Sequence, residues 1–134
     1  VIRFDKLTIK AQEALQSAQE TAAKLHHQEV DCEHLLAALI EQPEGLVRPL
    51  LDKLGANSDS IRRSLDADLN KRHQVQGIDS SQMYLSKTLR AALDVGFAEA
   101  DKLKDQYVST EHMLIGIAET TKLLQRHGVT TAAV

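Results

Sequence analysis

Tryptophan is absent from this chain of 134 residues, and other aromatics are scarce: Phe4, Tyr84, Phe97 and Tyr107. The core must therefore be aliphatic, built from Leu, Ala, Val and Ile. A single cysteine, Cys32, excludes an internal disulfide and suits a reducing compartment. The two prolines, Pro43 and Pro49, sit near helix beginnings or in loops, so long stretches stay free for helix. No apolar run approaches the ~20 residues of a membrane-spanning helix. The first residues, VIRFDKLT, carry charges and no apolar signal region. A cytoplasmic location without membrane contact is expected. Neither sign of charge dominates: 16 basic residues face 19 acidic ones, for a net charge of −3. That balance speaks against a nucleic-acid partner, which would call for a basic surface.

The chemistry-bearing motifs are missing as well. There is no G-x-x-x-x-G-K-[ST] loop, no H-E-x-x-H, no cysteine pair and no G-x-S-x-G elbow. No catalysis, metal or cofactor is expected of this chain itself. The six histidines are scattered. His26 and His27 would diverge on a helix and read as polar groups of a loop or helix end. Cys32 falls near a helix start, where a thiolate is favoured. Its counterpart in the repeat described below is Thr110, so it reads as a small tolerated side chain.

What is present is helical periodicity. Residues 8–26 place Ala11, Ala14, Leu15, Ala18, Ala22 and Leu25 on one face, with Thr8 as N-cap. Residues 86–104 repeat the design with Ser86 as cap and Leu89, Ala92, Leu93, Gly96, Ala100 and Leu103 as stripe. Shorter helices are expected at 32–41, 46–54, 58–71 (capped by Ser58), 110–119 and 121–127, with stops at Gly55 and Gly128. No strand-like alternation of useful length occurs.

The strongest signal is an internal repeat. A shift of 78 aligns Ala14 with Ala92, Leu15 with Leu93, Ala22 with Ala100, Val30 with Val108, and Glu33-His34 with Glu111-His112. After a shorter loop, LLDKLG (50–55) meets LLQRHG (123–128). This predicts an all-α single domain: two four-helix units packed as a pseudo-twofold pair with a groove along their seam. Repeat one covers 1–71, a linker 72–81, and repeat two 82–134, its last helix cut short.

The starting stretch RFDKLTIKAQEALQSAQETA, the paired EHLL and EHML, LLDKLGAN and the tandem repeat together resemble the N-terminal domain of Clp AAA+ chaperones. LNKRHQVQG (69–77) is most similar to the linker of the ClpB, or disaggregase, type. The resemblance covers essentially the whole chain. It implies a non-catalytic module that captures unfolded or aggregated polypeptide. ATP-driven modules outside this chain would then thread the captured segment through a homohexameric pore. A DnaK-type chaperone system is the implied partner, and the isolated domain is expected to be a monomer. The Glu-His pair kept in both repeats also resembles the ClpC type, whose paired sites receive adaptors or phosphorylated arginine; here they would use Glu33 and Glu111. A mobile spacer gating the hexamer entrance is the third alternative.

The resemblance places Thr8, Asp105 and Glu111 on the substrate-binding surface. Glu33 and Glu111 also have a structural reason to exist, because a carboxylate in a first helical turn meets the positive end of the helix dipole. His34 and His112 read as packing or capping groups. Asp105 otherwise reads as a solvated loop residue, and His27 occupies its place in the first repeat. Apolar groove walls are expected from Tyr84, Leu85 and Val95, with Val95 off the main stripe and exposed. Leu93 and Tyr107 are expected in the core.

Overall fold

The computed structural model describes residues 4–72, 74 and 83–128. Most of the expected linker, and the expected last helix from Thr130, lie outside these residues. Six α-helices follow in order: α1 Ile9–Lys24, α2 Cys32–Glu41, α3 Val47–Lys53, α4 Ser58–Asn70, α5 Lys87–Lys102 and α6 Thr110–Thr120. The expected helix 121–127 is reduced to a 3₁₀ turn, Gln125–His127.

The two long helices start alike. The Thr8 hydroxyl accepts from the Ala11 N–H, and Ser86 accepts from the Leu89 N–H, each cap stabilising its helix by about 1 kcal/mol. They also stop alike. Leu25 and Leu103 are the C-caps, and the next residues, His26 and Lys104, both turn left-handed at φ 60° and 59°. That turn carries the chain off the helix axis. It leaves Leu25 half-buried and turns Leu103 to solvent, although periodicity counted both into the stripes. The α4 cap is Asn57 rather than Ser58: its side chain accepts from Ser60 N–H, and Ser58 is buried in the first turn.

The shorter helices α2 and α6 form the centre. Every residue of α2 from Cys32 to Ile40 is buried except Glu33. On α6, His112, Met113, Leu114, Gly116 and Ile117 are buried. Helices α5 and α6 cross at two glycines. A Cβ at Gly116 would lie 2.0 Å from the Ala92 carbonyl oxygen, and one at Gly96 would lie 3.0 Å from the His112 carbonyl. The counterparts of Gly96 and Gly116 in the first repeat, Ala18 and Ala38, both carry a Cβ. Helices α1 and α2 must therefore pack with more space between their backbones.

Short extended segments do occur, each too brief to show an alternation in the sequence. Strand β1, Glu29–Val30, pairs in parallel with β2, Tyr84–Leu85. Leu7 bridges Val108 in the same sense. The shift of 78 takes Leu7 to Leu85 and Val30 to Val108, so these are one contact made twice. The hydrogen bonds repeat it: Thr8 N–H donates to Val108 O at 3.0 Å, and Ser86 N–H to Val30 O at 2.8 Å. Each repeat lends the residues before its long helix to the other repeat. This exchange is the structural form of the pseudo-twofold.

Candidate functional site

The two Glu-His segments begin α2 and α6, and the histidine is the third helical residue in each. His34 Nδ1 accepts from Asp31 N–H, and His112 Nδ1 accepts from Ser109 N–H, both at 2.9 Å. An accepting Nδ1 fixes the tautomer, so Nε2 carries the proton and donates. In repeat two it donates to Asp105 Oδ2 at 3.0 Å. In repeat one it donates to His27 Nδ1 at 2.9 Å. Asp105 and His27 are counterparts, each seven residues before its histidine. Asp105 is thus held by His112 rather than freely solvated, and His27 is a polar group just past the end of α1, as expected, but buried. Burial, with His27 and Arg72 nearby, lowers the His34 pKa to about 4. Burial also pushes the Cys32 thiol up to about 12, aided by the charges of Asp31 and Glu33, which leaves it unreactive as a thiolate.

Glu33 and Glu111 are counterparts with different neighbours. Glu33 Oε2 receives Arg72 Nη2 at 2.7 Å, and Asp31 Oδ2 receives the same nitrogen at 2.9 Å. Glu29 stands 4.0 Å from the other terminal nitrogen. Asp31 also accepts from the Ser86 hydroxyl at 2.7 Å, which ties this cluster to the start of α5. Burial raises the Asp31 pKa, but the bonds from Ser86, the Cys32 N–H and Arg72 outweigh it, and the net result is a lowered value. Among the described residues, Glu111 has no ion pair.

Glu111 lines a groove of about 360 Å³ with Thr8, Ile9, Lys10, Leu46 and the Gln42–Gly45 loop. Ile9 is 75% exposed and Leu46 57% exposed. Lys10 crosses the groove to donate to the Pro43 carbonyl, and Gln42 returns a bond to the Lys10 carbonyl at 2.7 Å. These bonds hold the α2–α3 loop against the start of α1. Thr8 and Glu111 are therefore neighbours on one groove, across the seam between repeats. Sequence reasoning missed Ile9 and Leu46. The available signal was that both fall off the apolar stripe of their helices.

The remaining expected residues lie elsewhere. Asp105 lines a second groove of about 350 Å³ with Lys6, Asp94, Phe97, Asp101 and Tyr107. Tyr107, expected in the core, is half exposed there, because the turn after Lys104 faces it outward. Tyr84 and Leu85 line a third, of about 480 Å³, with Gln16, Gln19, Val30 and Met83. The shift of 78 relates these two: Val30 to Val108, Gln16 to Asp94, Gln19 to Phe97. Val95 is half-buried and lines none of the three. Leu93 is buried in the core. Among the described residues no three His, Cys, Asp or Glu side chains are placed so as to hold a metal ion, and no helix is long and apolar enough to cross a membrane.

A duplicated helical unit with exchanged strands and seam grooves defines a class of paired-repeat domains. The chain belongs to the Clp repeat (R) N-terminal domain family, which matches residues 6–127. Among curated relatives, the chaperone protein ClpB of Nitratidesulfovibrio vulgaris is 42% identical over 116 residues, covering 85% of this chain and 13% of that protein. The chain thus spans about one-eighth of the length of such relatives. Among solved structures, the Hsp104 N-terminal domain from Candida albicans superposes with a TM-score of 0.81 at 19% identity, covering 96% of this chain and 85% of that one. A ClpV N-domain in complex with a VipB peptide gives 0.74 at 21% identity, covering 96% and 75%. These likenesses show the fold.

Proposed function

We propose that this chain is the polypeptide-capture module of a ClpB-type disaggregase and that the Thr8–Glu111 groove is where segments bind. The observation that carries the reading is the pairing of exposed Ile9 and Leu46 with a carboxylate free of ion pairs among the described residues. Exposed apolar side chains at a groove favour a protein partner. Glu111 adds a preference for a nearby cation. Binding is weak, so that segments can be released to the threading machinery. A relative of this fold is known with a peptide bound, which supports the class of ligand. In the whole protein the module would serve ATPase modules of a homohexamer, working in the cytoplasm with a DnaK-type system. The module itself turns over no substrate.

The paired-acceptor reading, with Glu33 and Glu111 acting together, is disfavoured by Arg72, which already holds Glu33. Fluorescence anisotropy with labelled, carboxymethylated lactalbumin as a permanently unfolded ligand tests the proposal. Ile9→Ser, Leu46→Ser and Glu111→Gln should each weaken binding several-fold with helicity unchanged. Wild-type affinity in all three folded variants would sink the groove assignment.

A further inference from the structure

The polar groups behind His34 form a string with one direction. The Asp31 N–H donates to His34 Nδ1, and His34 Nε2–H donates to His27 Nδ1, each at 2.9 Å. His27 must then carry its own proton on Nε2. That N–H is buried and faces the Leu69 carbonyl at the end of α4, without a full hydrogen bond. The same carbonyl accepts from the Arg72 N–H at 3.2 Å. The Arg72 side chain returns to Asp31, so the string closes on itself. It joins the start of α2, the turn after α1 and the end of α4. The Ser86 hydroxyl on Asp31 adds the start of α5.

Every ring nitrogen of the pair is already assigned, so an added proton meets a donor. On His34 it would face the Asp31 N–H. On His27 it would face His34 Nε2–H. His34 is fully buried and His27 nearly so, and Arg72 and His26 stand on the side that opposes a further positive charge. Asp31 favours that charge, but burial, His27 and Arg72 outweigh it; Glu33 and Glu29 lie beyond, against Arg72. Repeat two can take the same proton. His112 Nδ1 lies 3.0 Å from the Ser109 hydroxyl, which can accept, and Nε2–H would form an ion pair with Asp105. Asp94, Asp101 and Lys6 share the Asp105 groove, and Glu111 precedes His112 on α6. Only the Ser109 N–H would lose its acceptor.

We infer that the His27–His34 pair is an acid-sensitive latch confined to repeat one: protonation parts the turn after α1 from the end of α4 and loosens strand β1, while the matching turn of repeat two stays closed. The open turn binds protons at ordinary imidazole strength and the closed one resists them, so acid favours opening. His27 stands directly before β1. The Gln28 carbonyl accepts from the Tyr84 N–H and the Val30 carbonyl from the Ser86 N–H. Val30, Tyr84 and Leu85 are walls of the 480 Å³ groove. Acid thus reshapes that groove and spares the one at Asp105. The inference is independent of what either groove binds.

Imidazole ¹⁵N spectra and amide hydrogen exchange on the intact chain, followed from pH 7 to about 4.5, test this. At neutral pH both His27 and His34 should be Nε2–H tautomers; a proton on His34 Nδ1 overturns the inference. As the pH falls, exchange at Tyr84, Ser86 and Arg72, corrected for intrinsic rates, should quicken by at least about tenfold. Thr8, Val108 and Asp105, which make the matching bonds in repeat two, should keep their protection. Equal acid lability at Ser86 and Thr8, or none at either, overturns the inference. His27→Asp gives repeat one the partner that repeat two has, and should bring Ser86 close to Thr8 in acid. An unchanged Ser86 response in folded His27→Asp refutes the latch. Should His27→Asp not fold, the reverse exchange at an exposed position decides: Asp105→His should make Thr8 and Val108 acid-labile, and wild-type protection there refutes it.

Discussion

At the scale of residues, the two histidines of the repeat do the same local work and differ in their third partner. His34 and His112 both satisfy the amide before their own helix. His34 then meets another histidine, whereas His112 meets a carboxylate. Protonating His34 would put a donor on each ring nitrogen, facing the Asp31 N–H on one side and His27 on the other. Arg72 adds positive charge nearby. The folded ring takes its proton near about 4, against an ordinary value of 6.5. The His27 pKa is lowered too, by burial first and then by Arg72. Between those limits the unfolded chain holds more protons, so stability is fully present above about pH 6.5 and falls as the pH drops towards 4. For His34 the loss is on the order of 3 kcal/mol. Urea denaturation at a series of pH values checks this, and a flat profile from pH 7 to 4.5 would contradict it. The sequence showed that His27 occupies the place of Asp105. It did not show that both positions point at the helix histidine, because seven residues through a left-handed turn have no periodicity to read.

At the scale of elements, the close crossing of α5 and α6 makes a prediction that runs against helix propensity. Alanine in place of a helical glycine ordinarily stabilises by about 1 kcal/mol. At Gly116 the new methyl would meet the Ala92 carbonyl oxygen, which is backbone and cannot swing aside. Gly116→Ala should instead destabilise by about 1–3 kcal/mol or more, the range of overpacked cores. Thermal unfolding followed by circular dichroism would read this as a lowered midpoint. An unchanged or raised midpoint would mean the helices can part freely. The starts and stops of the six α-helices were legible in the sequence to within a residue or two, because caps and stripes are local, whereas the helix expected at 121–127 proved to be only a 3₁₀ turn. Leu103 and Tyr107 were misjudged because the stripe was followed past its cap. The left-handed Lys104 redirects the chain there, and a lysine gives no warning of a conformation that glycine usually advertises.

At the scale of the whole molecule, the pseudo-twofold was readable from the repeat, but its mechanism was not. Strands of two residues show no alternation, so the exchange of Leu7 with Val108 and Val30 with Leu85 left no pattern. The seam groove was expected, whereas its division into three was not, since Thr8, Asp105 and Tyr84 come together or stay apart only through packing. The exchange predicts that neither repeat is independent. Each alone buries too little apolar surface and lacks a backbone partner for its extended segment. Fragments 1–72 and 83–134 expressed apart should be largely unfolded, and mixing them should restore helical signal and a cooperative transition. A separate fragment that unfolds cooperatively by itself would refute this.

The exchange also sets a timetable. A ribosome emits repeat one first, and Val30 then waits for Leu85 to appear, while Leu7 waits for Val108. Leu7, which precedes α1, is therefore among the last residues of this domain to settle, although it is made before the helices that hold it. A nascent domain of this kind carries its own unfinished seam, apolar and unpaired, until repeat two emerges. A module proposed to capture unfolded segments would, during its own synthesis, briefly present such a segment itself.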